Sequence, residues 1–479
     1  SAAIAGLFWQ PCAFGAEDEK AEQDETLYRD ILTDFEDQKR DGEVKTGDET
    51  AADEGAASQE RFVRFSGWFQ QRAVYNYAYP EPEQGNTDHR GWSSLRAELA
   101  PAADVRFSND WKARFSGRLR YEPIFAIKGH DNFTSAYVED RETEAELWDA
   151  FVEGIPIHGL SIKVGRQIVV WGTSESLRVT DVLNPLDYRE PGVTDIENMR
   201  LPLAMTRLDY TWRQLTLSGI AIHEFRPSKL PVWGSDFFFG DEPLPQAYEP
   251  DDTLENTEYA LSLTARLTGW DLSLYYADIF ADEPYLIMSR GPLIVQPPFE
   301  DPVLLPPDYE NWYSRLKMYG AAMTAVYGNW LLKTEAAYVQ GNRYFNSPNV
   351  EKDLLNALVG LEYSGFRNTS ITVEYAVRHI FDYEESLQQS PDMVEAYETQ
   401  SVLRILRDFR RDTLHVLATV ILMDDHGDDG WLARIQAEYD WTDHLSITLG
   451  GVVYGAAEDG KYAAIRDNDR LFARIRYSF

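Results

Sequence analysis

The sequence predicts an all-β chain: a transmembrane, antiparallel, up-and-down β-barrel of about eighteen strands, with sixteen as the alternative. Three observations carry this. Apolar and polar residues alternate with period two along most of the chain. Short and long connections alternate between those stretches. Past the first few positions, no run of about 18 uncharged apolar residues exists, which excludes membrane-spanning helices.

The alternation is clearest at 469–479. Leu471, Ala473, Ile475, Tyr477 and Phe479 alternate with Arg470, Phe472, Arg474, Arg476 and Ser478. Period two puts each set on its own face of a strand. A soluble sandwich would bury the apolar face. Because the pattern recurs, a barrel in lipid explains it more simply, with apolar residues outward and polar ones lining a lumen. The terminal Phe479 also resembles the C-terminal signature of bacterial outer-membrane barrels.

Candidate strands run 62–77, 92–100, 105–122, 144–153, 160–171, 203–212, 214–225, 257–267, 270–280, 316–327, 330–341, 354–363, 369–381, 397–408, 412–422, 431–441, 445–455 and 469–479. Short links such as 101–104, 155–159, 268–269, 328–329, 409–411 and 442–444 follow even-numbered strands. Long ones include 78–91, 123–143, 172–202, 226–256, 281–315 and 382–396. Outer-membrane barrels have tight periplasmic turns and longer outer loops, and an even strand number leaves both termini in the periplasm. No strand reads as apolar enough on both faces to mark an oligomer seam.

The expected domains are 1–16, the remnant of a signal peptide whose charged front has been lost; 17–60, an acidic extension; and 61–479, the barrel. Leu27, Ile31, Leu32 and Phe35 have helical spacing, and a low-complexity linker follows. That extension reads as a solvated tail, a plug or a docking helix. The single cysteine, Cys12, falls in the leader, so disulfides, thiolate metal sites and haem attachment are not expected in the barrel. The net charge of −35 excludes nucleic acid as a partner. The expected partners are outer-membrane lipid, lipopolysaccharide bridged through divalent ions to acidic loops, and small solutes. The expected site is the outer membrane of a Gram-negative bacterium.

The strand phase assigns the lumen. Arg64, Arg72, Arg96, Lys112, Arg114, Arg118, Arg120, Arg470, Arg474 and Arg476 fall inward on contiguous strands and predict a basic wall. Glu335, Glu362, Glu374, Glu438 and Asp440 predict an acidic wall facing it. Such charges either set up a transverse field or only pair with neighbours and hydrate the wall. Eighteen strands enclose a lumen too wide for wall side chains to fill, so something must narrow it. The candidate is 172–202, with Glu175, Arg178, Asp181, Asp187, Arg189, Glu190, Asp195, Glu197 and Arg200; it folds inward as a charged eyelet or lies over the rim. On the fifth strand, the phase that puts Lys163 inside puts Arg166 outside, where a midplane guanidinium costs about 2–4 kcal/mol. A bulge at Gly165 would return it to the lumen, and a place near the interface would also serve.

Gly165-Arg166-Gln167, Trp171-Gly172 and Asn184-Pro185-Leu186-Asp187-Tyr188-Arg189-Glu190 resemble the signature stretch of a poorly characterised family of proteobacterial outer-membrane proteins. Thr173 departs from the pattern, which has an acidic residue there. The resemblance implies a porin-like barrel, work beside envelope transporters of hydrophobic compounds, and no catalytic residues.

No metal spacing, phosphate loop or nucleophilic triad is visible, so neither an enzyme nor a cofactor is expected. The acidic run 424–429 reads as a solvated loop rather than a calcium site. The expected function is a porin-like channel for small polar, anionic or zwitterionic solutes. The alternative is one part of a transenvelope assembly: a duct for lipophilic export with a periplasmic partner, or a sheath around a multihaem cytochrome. A structural or adhesive barrel is a third reading.

Overall fold

A computed structural model describes residues 62–82, 87–194, 199–240, 242–295 and 303–479. The expected leader and the acidic extension lie outside the described residues. One nineteen-stranded sheet dominates; Gly91–Ser94 is a short addition beside the end of the first strand, so eighteen antiparallel strands close the ring.

They are β1 Phe62–Asn76, β2 Ala97–Arg106, β3 Trp111–Tyr121, β4 Thr143–Ile157, β5 Leu160–Gln167 and β6 Leu203–Trp212. Then come β7 Leu215–Ile222, β8 Glu258–Leu267, β9 Trp270–Phe280, β10 Arg315–Tyr327, β11 Trp330–Tyr344 and β12 Ser347–Phe366. The last are β13 Thr369–Ile380, β14 Tyr397–Phe409, β15 Leu414–Leu422, β16 Trp431–Thr442, β17 Leu445–Gly455 and β18 Arg470–Ser478. Each pairs with its sequence neighbour, and β18 pairs with β1 from Trp68↔Ser478 to Asn76↔Arg470.

Tight turns gather at one end of the barrel and long connections at the other. Gly269 and Gly328 supply the positive φ, 78° and 60°, that two of the tight turns need. The outer face is apolar and exposed, as with Leu217, Leu261, Leu263, Leu272 and Leu274. Aromatics rim its turn end: Trp212, Trp270, Tyr327, Trp330, Phe366, Phe409 and Trp441 are all exposed. That is the girdled band of a barrel built for a bilayer.

The eighteen expected strands are all present, but the second and third are displaced from expectation. Residues 101–104 are not a turn; β2 runs through them to Arg106, and the turn is 107–110. Pro101 has no N–H to give a ladder, and here none is required. Its partner Gly67 spends its own N–H and C=O on Phe479, at 2.9 Å each way.

The expected bulge at Gly165 is also corrected. Val164 and Arg166 pair with Val152 and Ala150 without a break, and Arg166 keeps its outward phase. It sits beside the last residue of β5, at the loop end, and pairs with Glu224 at 2.9 Å. The interface position, not a bulge, resolves the charge. A real extra residue lies on β4 between Leu147 and Ala150, where Trp148 meets Arg118 and Asp149 meets Ser116.

The barrel is uneven in height. β12 has 20 residues and β18 has 9, or about 65 Å against about 30 Å at 3.3 Å per residue. The β11–β12 hairpin therefore rises above the rim, beside a small sheet of Tyr285–Arg290, Asp308–Trp312 and Ala247–Tyr248.

Candidate pore constriction

The connection 168–202 leaves β5, crosses the lumen and returns to β6. Its two ends are tied together by Asn184, whose Oδ1 accepts from the Val169 N–H (2.8 Å) and whose Nδ2 donates to the Leu201 carbonyl (2.8 Å). Leu201 N–H donates to the Pro185 carbonyl and Asp187 N–H to that of Met199, so 185–187 and 199–201 lie side by side. Gln167 is buried and donates to the Met205 carbonyl at 3.2 Å.

On one side the segment reaches β11–β14. The buried Glu335 carboxylate accepts the N–H groups of Thr173 (2.5 Å), Ser174 (2.8 Å) and Thr180 (3.1 Å) and the Thr180 hydroxyl (2.7 Å). Ser174 donates to Glu374 at 2.8 Å. Glu175 pairs with Lys333 at 2.8 Å and with Arg404. A side chain at Gly172 would collide with Glu335, so the bare backbone is what allows this approach.

On the other side it reaches β1–β4. Glu190 meets Arg72 at 2.5 Å, Arg141 at 2.7 Å and Arg96 at 3.0 Å. Asp187 holds Arg189 at 2.6 Å and lies 3.7 Å from Arg120. Arg189 extends to Asp140 and Glu144. Burial alone would raise the Glu190 carboxyl, but Arg141, Arg72 and Arg96 outweigh it and hold it well below the usual range. Asp187 is lowered against burial by Arg189, and Glu175 by Lys333 and Arg404.

Between these anchors the interior is apolar. Trp171 stacks on Tyr275 at 4.7 Å. Leu177, Val179, Leu183 and Val193 pack against inward residues such as Met205, Ile222, Met318, Leu358, Val402 and Val452. Phe237, Leu387, Tyr462 and Ile465 from other connections join the same core. Toward the loop end, the strands thus carry apolar residues on both faces, and the expectation of an evenly polar wall is corrected.

Most of the charged side chains of β18 and β1–β3 named above have a partner. Arg470 pairs with Asp236 (3.1 Å), Arg474 with Glu438 (3.0 Å), Arg120 with Glu98 (3.1 Å) and Lys112 with Glu153 (3.6 Å). Arg114 lies 3.4 Å from both Asp104 and Asp149. Arg118 covers the Trp148 ring at 3.4 Å, Arg476 covers Trp68 at 4.6 Å, and Arg64 stands opposite Asp104 near the turn end.

The facing acidic wall is only partly as expected. Glu335, Glu362 and Glu374 belong to it, but Lys333 and Arg404 share that wall. Glu438 and Asp440 stand beside the basic wall, because β16 is two strands from β18; Asp440 lies 3.3 Å from His415. Within the connection, Asp181 pairs with Arg200 at 2.9 Å and Arg178 at 3.5 Å, so these three brace the segment internally. Asp195 and Glu197 lie outside the described residues.

Arg141, Asp236, Lys333 and Arg404 were not anticipated. Lys333 shares its phase with Glu335 and was findable from parity; Arg141 and Asp236 sit in connections, where period two gives no signal. In the acidic run, Asp424 accepts the N–H groups of His426 (2.8 Å) and Asp429 (2.7 Å), the pattern of a turn. Among the described residues, no group of three or more His, Cys, Asp or Glu converges as a metal site.

The family model for a protein of unknown function (DUF1302) matches residues 35–479, which includes the whole barrel. The chain belongs to that family. No curated protein matches the DUF1302 chain. Solved structures that share its fold include outer-membrane proteins of two genera. OccAB4 of Acinetobacter baumannii is 9% identical, with a TM-score of 0.51, covering 88% of this chain and 99% of its own. OccAB1 of the same organism is 12% identical, with a TM-score of 0.50, covering 89% and 99%. A BenF-like porin from Pseudomonas fluorescens Pf-5 is 10% identical, with a TM-score of 0.50, covering 88% and 98%.

Proposed function

We propose that the chain is an outer-membrane channel of a Gram-negative bacterium that passes small polar solutes, with a preference for anionic or zwitterionic ones. One observation carries the reading: a closed barrel with an apolar, aromatic-rimmed outer face holds 168–202 across its interior. A segment fixed to both walls narrows a wide barrel to a selective passage. The likeness to a BenF-like porin supports the channel part. The anion preference rests on the guanidinium-rich wall, where three arginines meet one carboxylate at Glu190. Nothing in this scheme calls for bond chemistry. Its partners are the surrounding lipid, lipopolysaccharide at the loop rim, and the solute.

Planar-bilayer recording tests it. The protein is expected to conduct ions, and reversing the charge of Arg118 and Arg474 together is expected to lower the anion-to-cation permeability ratio. An insulating barrel at all voltages, with its β content intact, would overturn the proposal.

A second reading is favoured by the apolar interior between the charged anchors: a duct for lipophilic solutes working with a periplasmic partner. It predicts a stoichiometric partner on mild solubilisation. The cytochrome sheath finds no support, since the chain's own side chains fill the loop-end interior.

A further inference from the structure

We propose that Glu190 is a tethered stand-in for a solute carboxylate: it occupies an anion site made by Arg72, Arg96 and Arg141, and a carboxylate solute opens the passage by displacing it. This rests on the channel reading above and adds to it a site and a means of opening.

The site is built by parts of the chain far apart in sequence. Arg72 comes from β1, Arg96 precedes β2, and Arg141 ends the short helix Ser135–Arg141. All three are more than nine-tenths buried. They converge on one carboxylate, donating to both of its oxygens. Guanidinium forks matched to a carboxylate in this way form an anion receptor of high specificity.

The cage has more donor capacity than Glu190 uses. The Nε atoms of Arg72 and Arg96 are buried without an acceptor, and Glu122 comes only within 3.9 Å of the latter. Counting Glu122, three cations face two carboxylates, and the positive charge left over suits a site that exchanges one anion for another. A cavity of about 10 Å³, room for one water, lies beside Arg141 and Glu190 and is lined also by Tyr137, Asp140, Arg189 and Asp236.

Glu190 is the member of the group on irregular backbone. Arg72 stands on β1, Arg96 just before β2 and Arg141 on a helix, whereas Glu190 opens a turn whose Pro191 carbonyl accepts from the Tyr454 hydroxyl (2.6 Å), next to Tyr188, whose N–H donates to the Lys229 carbonyl (2.8 Å), and Arg189, paired with Asp140 and Glu144. Its far anchor at Glu335 is separate, so the Glu190 side chain can exchange with a solute carboxylate while that anchor stays.

Hydrogen exchange of the full chain in detergent tests this, comparing sodium acetate with sodium chloride at equal ionic strength. In the wild type, acetate is expected to speed amide exchange in 186–194 by about tenfold over chloride. Glu190→Gln is expected to exchange fast in both salts, and Arg96→Gln to lose the difference between them. Equal exchange of the wild type in both salts would overturn the proposal, as would Glu190→Gln exchanging as slowly as wild type. Bilayer recording of the same samples separates the two readings. Acetate-sensitive exchange without conductance overturns the channel and leaves the anion site standing; conductance with acetate-insensitive exchange does the reverse.

Discussion

The two ends of the inserted segment are fastened to the barrel by opposite logic. At Glu335 the wall supplies the carboxylate and the segment supplies backbone N–H groups, so otherwise orphaned amides are satisfied in a buried place. At Glu190 the segment supplies the carboxylate and the wall supplies arginines. The first anchor gives each Glu335 oxygen at least two donors, while Glu374 Oε1 beside it has none. The second leaves cationic donors over. One end therefore reads as a structural clamp and the other as an exchangeable contact.

The sharpest way to break that contrast is Glu335→Ala. Several buried N–H groups would lose their acceptor at once, and the loss is expected to be about 3 kcal/mol or more. It should appear as a lower melting temperature and as rapid proteolysis within 168–202. A variant as stable as wild type would show that the clamp is not one.

Acid should loosen the other end only far below neutral pH, by a smaller amount. Glu190 and Asp187 have carboxyls held below their ordinary values of 4.5 and 3.8. Their contribution is fully present above those ordinary values and is lost as pH falls through the lowered folded ones. Protection of 186–194, relative to the intrinsic exchange rate at each pH, is therefore expected to be flat from pH 7 to about 5 and to fall only in stronger acid. A fall already near pH 6 would contradict it.

The smallest effect is expected at the open turn end. Lys112 is 42% exposed and 3.6 Å from Glu153. Lys112→Gln should change stability by less than about 0.5 kcal/mol while still shifting ion selectivity slightly. Chemical melting and reversal potential read the two separately.

Much of this was legible in the sequence. Period two marks every strand, and the tight turns announce themselves through residues such as Gly269 and Gly328. Pro101 misled because proline usually breaks a ladder, and only the closure through Phe479 explains why it does not. The charged residues of 168–202 drew attention by density alone, but their partners could not be paired by pattern. Arg141 and Asp236 lie in irregular connections, where position follows from packing rather than periodicity. The filled interior had a signal that went unused: neighbouring pairs such as Leu354-Leu355 and Val402-Leu403 put one apolar residue on each face. A strand touching only lipid outside and water inside has no reason to do so.

The uneven height of the wall has a consequence for what meets the molecule from outside. In the proposed orientation the β11–β12 hairpin stands up as a parapet on one flank, while the flank of β15–β18 stays low. A bulky particle approaching from that end would touch the parapet before the mouth.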